Sequence, residues 1–303
     1  MAVQTHLPDT EVLSRIARME LVATQAVEGF LAGKHPSPYH GSSVEYADHR
    51  PYSLGDPIRT IDWKLLAKTD KYYIKLFEEQ TNVRGMVLLD ISKSMSFGSE
   101  EGSKFDYACM LAASLSYLMV RQNDAVGLAM FGDDVDTYLP SRCTASHFRR
   151  MIEMMDATSP RSATKIGQVL HALAGRMRRR GLVVLISDLL DDPAEIANGI
   201  AHLRYQRHEV IVFHVVDREE LSFPYERMTR FKDLEGVGMV IANPRSMRRR
   251  YLQRLTEHFD GLKRGCMERG ASYEQAVTDT AYDQMLSAYL AKRMRLRRTA
   301  KVG

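Results

Sequence analysis

Apolar residues along this chain occur in two patterns, short continuous runs and longer runs at helical spacing. The continuous runs cover 86–89, 126–131, 182–186 and 210–216. Runs of this length that end in polar turns are typical of strands buried on both faces. The helical runs lie between them, at 105–122, 146–155, 164–178 and 193–207. This alternation predicts an α/β fold in which a doubly wound, mostly parallel sheet carries helices on both faces.

The two ends of the chain depart from this alternation. Before residue 83, the pattern predicts an amphipathic helix over 10–31, a short helix over 62–68 and short strands over 43–47 and 71–77. After residue 220, it predicts a hairpin around 236–238, helices over 246–268 and 282–297, and a strand over 272–278. We therefore expect three segments: an N-terminal helix with a small β element (1–82), the doubly wound domain (83–220), and a β-hairpin with C-terminal helices that pack on that domain (221–303).

Composition places the chain among ordinary globular proteins. Of 303 residues, 45% are hydrophobic and 26% are charged, which excludes disordered and collagen-like classes. Cys109, Cys143 and Cys266 lie far apart, so neither a disulfide framework nor a zinc cluster is indicated. The N-terminal residues lack the basic-then-apolar pattern of a secretory signal peptide, and the longest apolar runs are too short to span a membrane. A cytoplasmic protein with no transmembrane segment is expected.

Several kinds of chemistry lack their usual sequence motifs. The chain has neither a Gly-x-x-x-x-Gly-Lys-Ser/Thr loop for ATP nor a His-Glu-x-x-His zinc motif. The whole chain has a formal net charge of only +4, but arginine-rich runs lie at 176–180, 245–254 and 292–301. They are best interpreted as solvated helix faces, with an acidic partner, nucleic acid or a membrane surface as alternatives. Because aromatic residues are not interleaved with them, the runs do not favour nucleic-acid binding.

The clearest candidate site begins at the end of the first buried strand. Asp90, Ser92 and Ser94 follow that strand at alternate positions, and the carboxyl ends of parallel strands form the ligand-binding edge of such sheets. Thr164 precedes a predicted helix, and Asp188 ends another buried strand at the same edge. These five oxygen donors suit a hard cation such as Mg²⁺, with Mn²⁺ as the alternative. The competing interpretation is that they are ordinary turn and helix-cap residues.

This arrangement of Asp90-x-Ser92-x-Ser94, Thr164 and Asp188 resembles the metal-ion-dependent adhesion site (MIDAS) of von Willebrand factor A (vWA) domains. The upstream residues resemble the signature of a bacterial vWA-like family catalogued as domain-of-unknown-function fifty-eight. They are Gly41 to Tyr46, Arg50 to Tyr52, Gly55 to Pro57, Arg59, Ile61 to Trp63 and Ala67. Pro57 departs from the family pattern, which more usually has a second Asp there.

The resemblance implies a vWA-like fold and a non-enzymatic, metal-dependent interaction module. Its partner would be a MoxR-type AAA+ ATPase, in chaperone-like assembly or maturation of protein complexes. Ser92, Ser94 and Thr164 would hold the metal directly, Asp90 and Asp188 mainly through water, and an Asp or Glu of the partner would complete the coordination. The resemblance does not identify the client protein.

Two other functions are consistent with the same residues. A Mg²⁺-dependent phosphohydrolase would use Asp90 as phosphoryl acceptor, but Ser92 stands where a general acid is needed and no lysine is clearly placed to balance phosphate charge. A metal-free scaffold would act through the N-terminal segment and the basic helices. In that segment Arg50 and Arg59 lie near Asp56 and Asp62 in sequence and would form a bracing ion network with Trp63 wedged beneath it, or a docking surface if the network is exposed.

Overall fold

A sheet of six strands lies at the centre of the part of the chain that the computed structural model describes. The described residues are 14, 17–25, 27, 46–53, 61–77, 83–99, 102–161, 163–177, 179–232, 238–281 and 284–286. The strands are β1 (Tyr46–Pro51), β2 (Tyr73–Phe77), β3 (Arg84–Asp90), β4 (Gly98–Ser99), β5 (Gly102–Ser103), β6 (Ala125–Phe131), β7 (Val135–Arg142), β8 (Leu182–Ser187), β9 (Glu209–Val216), β10 (Thr229–Lys232), β11 (Met239–Ala242) and β12 (Ser272–Val277). The helices are α1 (17–25), α2 (Trp63–Thr69), α3 (Lys104–Arg121), α4 (Ala145–Asp156), α5 (Ile166–Arg176), α6 (Pro193–Tyr205), α7 (Arg218–Ser222) and α8 (Pro244–Glu268).

The order of the six strands in this sheet is β12-β9-β8-β3-β6-β7. Five of them are parallel, and β7 pairs antiparallel with β6 at one edge. After β3 the chain crosses to β6 on one side, whereas after β8 it continues to β9 on the other. The strand order therefore reverses between β3 and β8, and this is the point where α/β sheets bind ligands.

Helices cover both faces of the sheet because its four central strands, β3, β6, β8 and β9, are apolar on both sides. In β3, Val87 and Leu89 pack into a core with α1, α3 and α4, whereas Met86 and Leu88 pack into a second core with α5 and α6. The predicted doubly wound, mostly parallel α/β fold is confirmed. Among the described residues, no helix is both long and apolar enough to cross a membrane.

The sheet also includes a strand from the C-terminal segment. β12 pairs in parallel with β9, from Ser272 opposite Ile211 to Val277 opposite Val216. The sheet therefore extends beyond the boundary that the sequence suggested at residue 220, because the exposed edge of β9 is covered by this later strand. The predicted hairpin is formed by β10 and β11. Of the helix expected over 282–297, residues 284–286 are described and are helical.

The N-terminal signature region forms a small antiparallel β pair and a helix. β1 pairs with β2, and Asp62 accepts a hydrogen bond from the Leu65 amide at 3.2 Å at the start of α2. Trp63 is 57% exposed, so it is not wedged beneath an ion network as the sequence suggested. Residues 54–60, including Arg59 of that predicted network, lie outside the described residues.

The turn between α3 and β6 contains a buried carboxyl group that makes stability depend on pH. Asp124 is fully buried; its Oδ1 accepts a hydrogen bond from the Val83 amide at 2.9 Å, and its Oδ2 has no partner within the described ranges. Burial raises the pKa of Asp124 to about 6, against the Val83 hydrogen bond. Because the pKa of Asp124 is higher in the folded than in the unfolded state, its contribution to the free energy of unfolding is fully present below about pH 4. That contribution is lost as the pH rises through about 6.

We expect the free energy of unfolding of Asp124→Asn to depend less on pH over this range than that of the wild type. Between about pH 4.5 and pH 7, the free energy of unfolding of the wild type should fall by about 1–2 kcal/mol more than that of the variant. Urea denaturation at the two pH values measures the difference. Asp133→Asn, at an exposed carboxylate, should follow the wild type, and equal profiles for wild type and Asp124→Asn would contradict the assignment.

Candidate metal centre

Asp90, like Ser92, is completely buried among the predicted ligands. It ends β3 with no exposed surface, and its two oxygens accept separate hydrogen bonds. The Ser92 amide donates to Oδ1 at 2.8 Å, and the Ser187 hydroxyl donates to Oδ2 at 2.6 Å. Burial, followed by the nearby Asp188 carboxylate, raises the pKa of Asp90 to about 7 against these hydrogen bonds. The carboxylate is thus fixed in place, and a neighbouring cation would stabilise its ionised form.

The two serines that follow Asp90 bring their hydroxyl groups together. Ser92 Oγ and Ser94 Oγ lie 3.0 Å apart, and both side chains are buried. Ser92 occupies the N-cap position of the short 3₁₀-helix Lys93–Ser96, yet its side chain makes no capping hydrogen bond. The interpretation of Ser92 as a helix cap is therefore not supported by its contacts.

Thr164 lies on a loop that is hydrogen-bonded to three strand-end loops. The Arg161 amide donates to Ile91 O at 2.7 Å, and the Lys165 amide donates to Gly132 O at 3.3 Å. The Ile166 amide donates to Asp191 Oδ2 at 2.8 Å. Thr164 is therefore held where the loops after β3, β6 and β8 meet. The N-cap of α5 is Lys165, and within the described chain the buried Thr164 Oγ1 has no hydrogen-bond partner.

Asp188 follows β8 and is 2% exposed. Its Oδ2 accepts a hydrogen bond from Lys104 Nζ at 2.8 Å, whereas its buried Oδ1 has no partner among the residues that the structure describes. Register brings Asp188 close to Asp90, because Leu89 of β3 stands opposite Ile186 of β8. One oxygen of this carboxylate is thus held by a cation, and the other is left without a donor.

Lys104 is a member of this cluster that sequence reasoning missed. The side chain is 1% exposed, and its ammonium group also donates to Glu220 Oε1 at 2.8 Å. Burial favours a lower pKa for Lys104, but Asp188 and Glu220 outweigh burial and raise it above its usual value. The sequence does contain a signal: Lys104 is the first residue of α3, where a positive charge opposes the helix dipole. Such a lysine needs another source of stabilisation, and the two carboxylates supply it.

Two further residues complete the surroundings of the cluster. Ser187 donates to Asp90 and accepts a hydrogen bond from the Leu189 amide at 2.9 Å, so it orients the carboxylate. His214 of β9 stands opposite Ser187, and its Nδ1 lies 2.6 Å from the Tyr273 hydroxyl. Burial lowers the pKa of His214 to about 3. Because that imidazole is neutral near pH 7, Lys104 is the cation that faces Asp188.

The donor set fits a hard divalent cation in chemistry and in charge. Hydroxyl and carboxylate oxygens are the ligands that Mg²⁺ prefers. Two of these buried oxygens, Thr164 Oγ1 and Asp188 Oδ1, have no hydrogen bond within the described ranges. Lys104 pairs with two carboxyl groups, those of Asp188 and Glu220, and the buried Asp90 lies near Asp188, so the carboxyl groups here outnumber the single ammonium group. Within the described chain, no three His, Cys, Asp or Glu side chains lie close enough together to hold a metal ion by themselves, so the hydroxyl oxygens of Ser92, Ser94 and Thr164 would have to be part of the site.

Proteins similar to this chain occur in Mycobacterium tuberculosis and Bacillus subtilis. The uncharacterized protein Rv1480 of Mycobacterium tuberculosis (strain ATCC 25618 / H37Rv) is 25% identical over 296 residues, which are 95% of this chain and 92% of that protein. The uncharacterized protein YeaD of Bacillus subtilis (strain 168) is 26% identical over 177 residues, which are 57% of this chain and 42% of that protein.

Solved structures with a similar arrangement of elements include a conserved hypothetical protein, BatB, from Bacteroides thetaiotaomicron. It has a TM-score of 0.47 and 19% identity, and covers 70% of this chain and 99% of its own. The SpRpn10 VWA domain has a TM-score of 0.40 and 13% identity, and covers 68% of this chain and 94% of its own. The family described as "Protein of unknown function DUF58" matches residues 48–260. This chain belongs to the DUF58 family.

Proposed function

We propose that this protein is a non-enzymatic interaction module that binds Mg²⁺ at the carboxyl edge of its sheet and uses the metal to dock a partner. Mn²⁺ is the alternative metal. The ligands are Asp90, Ser92, Ser94, Thr164 and Asp188. A carboxylate from an Asp or Glu of the partner completes the coordination.

The observation that carries the proposal is the pair of buried oxygens without a partner, Thr164 Oγ1 and Asp188 Oδ1. A buried polar atom that lacks a hydrogen bond costs about 1–3 kcal/mol, so a protein keeps it for a reason. Both atoms belong to residues that sequence reasoning had already grouped as metal ligands. A cation between them would satisfy both and would balance the surplus carboxylate charge.

When bound, Mg²⁺ supplies a strong attraction for a carboxylate that arrives from outside. The residues of this chain hold their positions in advance: Ser187 and the Ser92 amide fix Asp90, and Lys104 fixes Asp188. Such preorganisation lowers the entropic cost of binding. Docking is then sensitive to both the metal and the partner's acidic residue.

We propose a MoxR-type AAA+ ATPase as the partner, in chaperone-like assembly or maturation of other proteins in the cytoplasm. This assignment rests on the resemblance of the sequence to the family associated with such ATPases. The chain has no ATP-binding loop of its own. An ATPase partner would supply the energy that this chain does not provide.

Mg²⁺ binding tests the metal site directly. In titration calorimetry we expect the wild type to bind Mg²⁺, and both Asp90→Ala and Thr164→Val to bind it at least about tenfold more weakly. Thr164→Val keeps the shape of the side chain and removes an oxygen that makes no hydrogen bond in the described structure, so the fold should tolerate it. Thr256→Val, on the exposed face of α8, is the matched control and should bind like the wild type.

Two added components test the role of the site. Acetate, standing in for the partner's carboxylate, should tighten Mg²⁺ binding. A MoxR-type ATPase from the same genome, once bound to the protein, should be released from it by a chelator. A generic phosphate ester should not be hydrolysed. Equal binding by wild type and Thr164→Val would refute the ligand assignment, and Mg²⁺-dependent hydrolysis lost in Asp90→Ala would favour the phosphohydrolase.

A further inference from the structure

A groove with no ligand assigned to it lies at the opposite end of the strands from the candidate metal centre. It has a volume of about 280 Å³ and opens beside the starts of β3 and β8 and the end of β7. We propose that this groove, which we call the arginine groove, binds a short acidic peptide segment of a partner protein through Arg84, Arg176 and Arg179. The proposal does not depend on the metal site.

Three separate elements bring these arginines to the groove. Arg84 begins β3, Arg176 lies in the last turn of α5, and Arg179 lies on the loop before β8. All three side chains are exposed. Because they come from a strand, a helix and a loop, their convergence is set by the fold rather than by one basic run of sequence.

The charges of the arginine groove are not balanced by this chain. Among the described residues, no Asp or Glu lines the groove, and none of the three arginines forms an ion pair. Elsewhere on the surface, Arg161 pairs with Asp136 at 2.6 Å. Guanidinium groups bind carboxylates through two parallel hydrogen bonds, and three of them around one concave surface favour an anionic ligand.

The floor of the groove indicates which kind of anion fits. Met86, Met177 and Leu182 form an apolar floor, and Tyr138 and Pro140 line the side. An apolar side chain flanked by carboxylates matches both the floor and the rim. The volume is near the lower end of the roughly 300–1,000 Å³ of small-molecule pockets and is large enough for one or two side chains of a peptide.

Other anionic partners match the groove less well. Nucleic acid is bound through aromatic platforms on which successive bases stack, and Tyr138 is the one aromatic residue among the described lining residues. A membrane presents a broad surface that cannot enter a concave groove of this size. A peptide can place single side chains between the arginines, and methionines adapt well to such ligands.

The arginine groove is far enough from the metal edge for both to be occupied together. β3 begins at Arg84 and ends at Asp90, which separates the two sites by about 20 Å along the strand. If Mg²⁺ binds as proposed above, the molecule would offer a metal that attracts carboxylates at one end of the strands and arginines that attract them at the other. This geometry suits an adaptor that holds two acidic partners at once.

The experiment uses a fluorescent synthetic peptide in which glutamates flank two leucines, with fluorescence anisotropy as the readout. We expect saturable binding that weakens as NaCl rises from about 50 to 300 mM, because ion pairs are screened. The variant with Arg84→Ala, Arg176→Ala and Arg179→Ala should bind at least about tenfold more weakly. Arg249→Ala, Arg250→Ala and Arg254→Ala on α8 remove the same charge from exposed positions and should leave affinity within about twofold.

Each other outcome contradicts the proposal. No saturable binding to the wild type, or equal loss in both triple variants, would show that the arginine groove is not a specific site. Polyphosphate tests for a site that binds free phosphate. If it displaces the acidic peptide and displaces equally well a peptide in which glutamines replace the glutamates, the arginine groove would be assigned to free phosphates. Repeating the titration with EDTA separates the sites, since peptide binding should persist when the metal is removed.

Discussion

Replacing Lys104 by Met is expected to lower the free energy of unfolding by about 3–5 kcal/mol. The substitution keeps much of the side-chain volume but removes the ammonium group that donates to Asp188 and Glu220. Asp188 is 2% exposed, so water cannot replace that donor without opening the site. Breaking a buried pair on one side leaves an uncompensated charge, which is costlier than removing the pair as a whole. Urea denaturation at pH 7 measures the loss.

Two comparisons separate this charge effect from a simple packing defect. Lys104→Met combined with Asp188→Asn should recover part of the lost stability, because the unpaired charge is then removed. Lys93→Met, at an exposed lysine of the 3₁₀-helix that precedes α3, should change stability by less than about 0.5 kcal/mol. A Lys104→Met protein that loses less than about 1 kcal/mol would show that the ammonium group does not neutralise the cluster.

The same variant links stability to the proposed metal. With Lys104 absent, the carboxylates of the cluster carry a larger uncompensated charge, so a divalent cation should compensate more of it. We therefore expect saturating Mg²⁺ to raise the free energy of unfolding of Lys104→Met by more than it raises that of the wild type. Equal gains would indicate that the ammonium group and the metal do not share the same carboxylates.

The positions of Asp90 and Asp188 could be predicted because parallel strands end at one edge. Each follows a continuous apolar run, and strand order then brings the two runs side by side as β3 and β8. Lys104 and Glu220 could not be found in this way. Their contacts join the first turn of α3 to α7, across 116 positions of sequence, and hydrophobic periodicity carries no information about such a pair.

Strand and helix types in the central region followed from the sequence because each element is long and strongly patterned. The pairing of β12 with the central sheet could not be predicted from the sequence, because Ser272–Val277 has only one fully buried residue, Ala276. It joins the sheet by pairing its backbone with β9. The five-residue helix α7 was also missed, because it is held by the Asp217 and Glu220 capping box rather than by an apolar face.

Gly127→Val is expected to destabilise the fold by about 3 kcal/mol or more. Gly127 lies in β6 where its pairing with β7 shifts register between Val126 and Leu128. A Cβ atom at this position would stand 2.6 Å from Leu139 O and 2.8 Å from the Ser141 amide nitrogen. Both are backbone atoms of β7, so relief requires the strand to move. Ser141 resists that movement, because its hydroxyl donates to Gly85 O at 2.7 Å.

Gly175→Ala also adds a side chain at a glycine, but it is expected to stabilise the fold. Gly175 lies within α5, and an added Cβ there would meet no heavy atom within 4 Å. Alanine favours a helix over glycine by up to about 1 kcal/mol, so this substitution should raise the free energy of unfolding. Urea denaturation of both variants compares them directly. If Gly127→Val were as stable as the wild type, β7 would have to be free to move away from β6, and the close contact of the two strands would not be required by the fold.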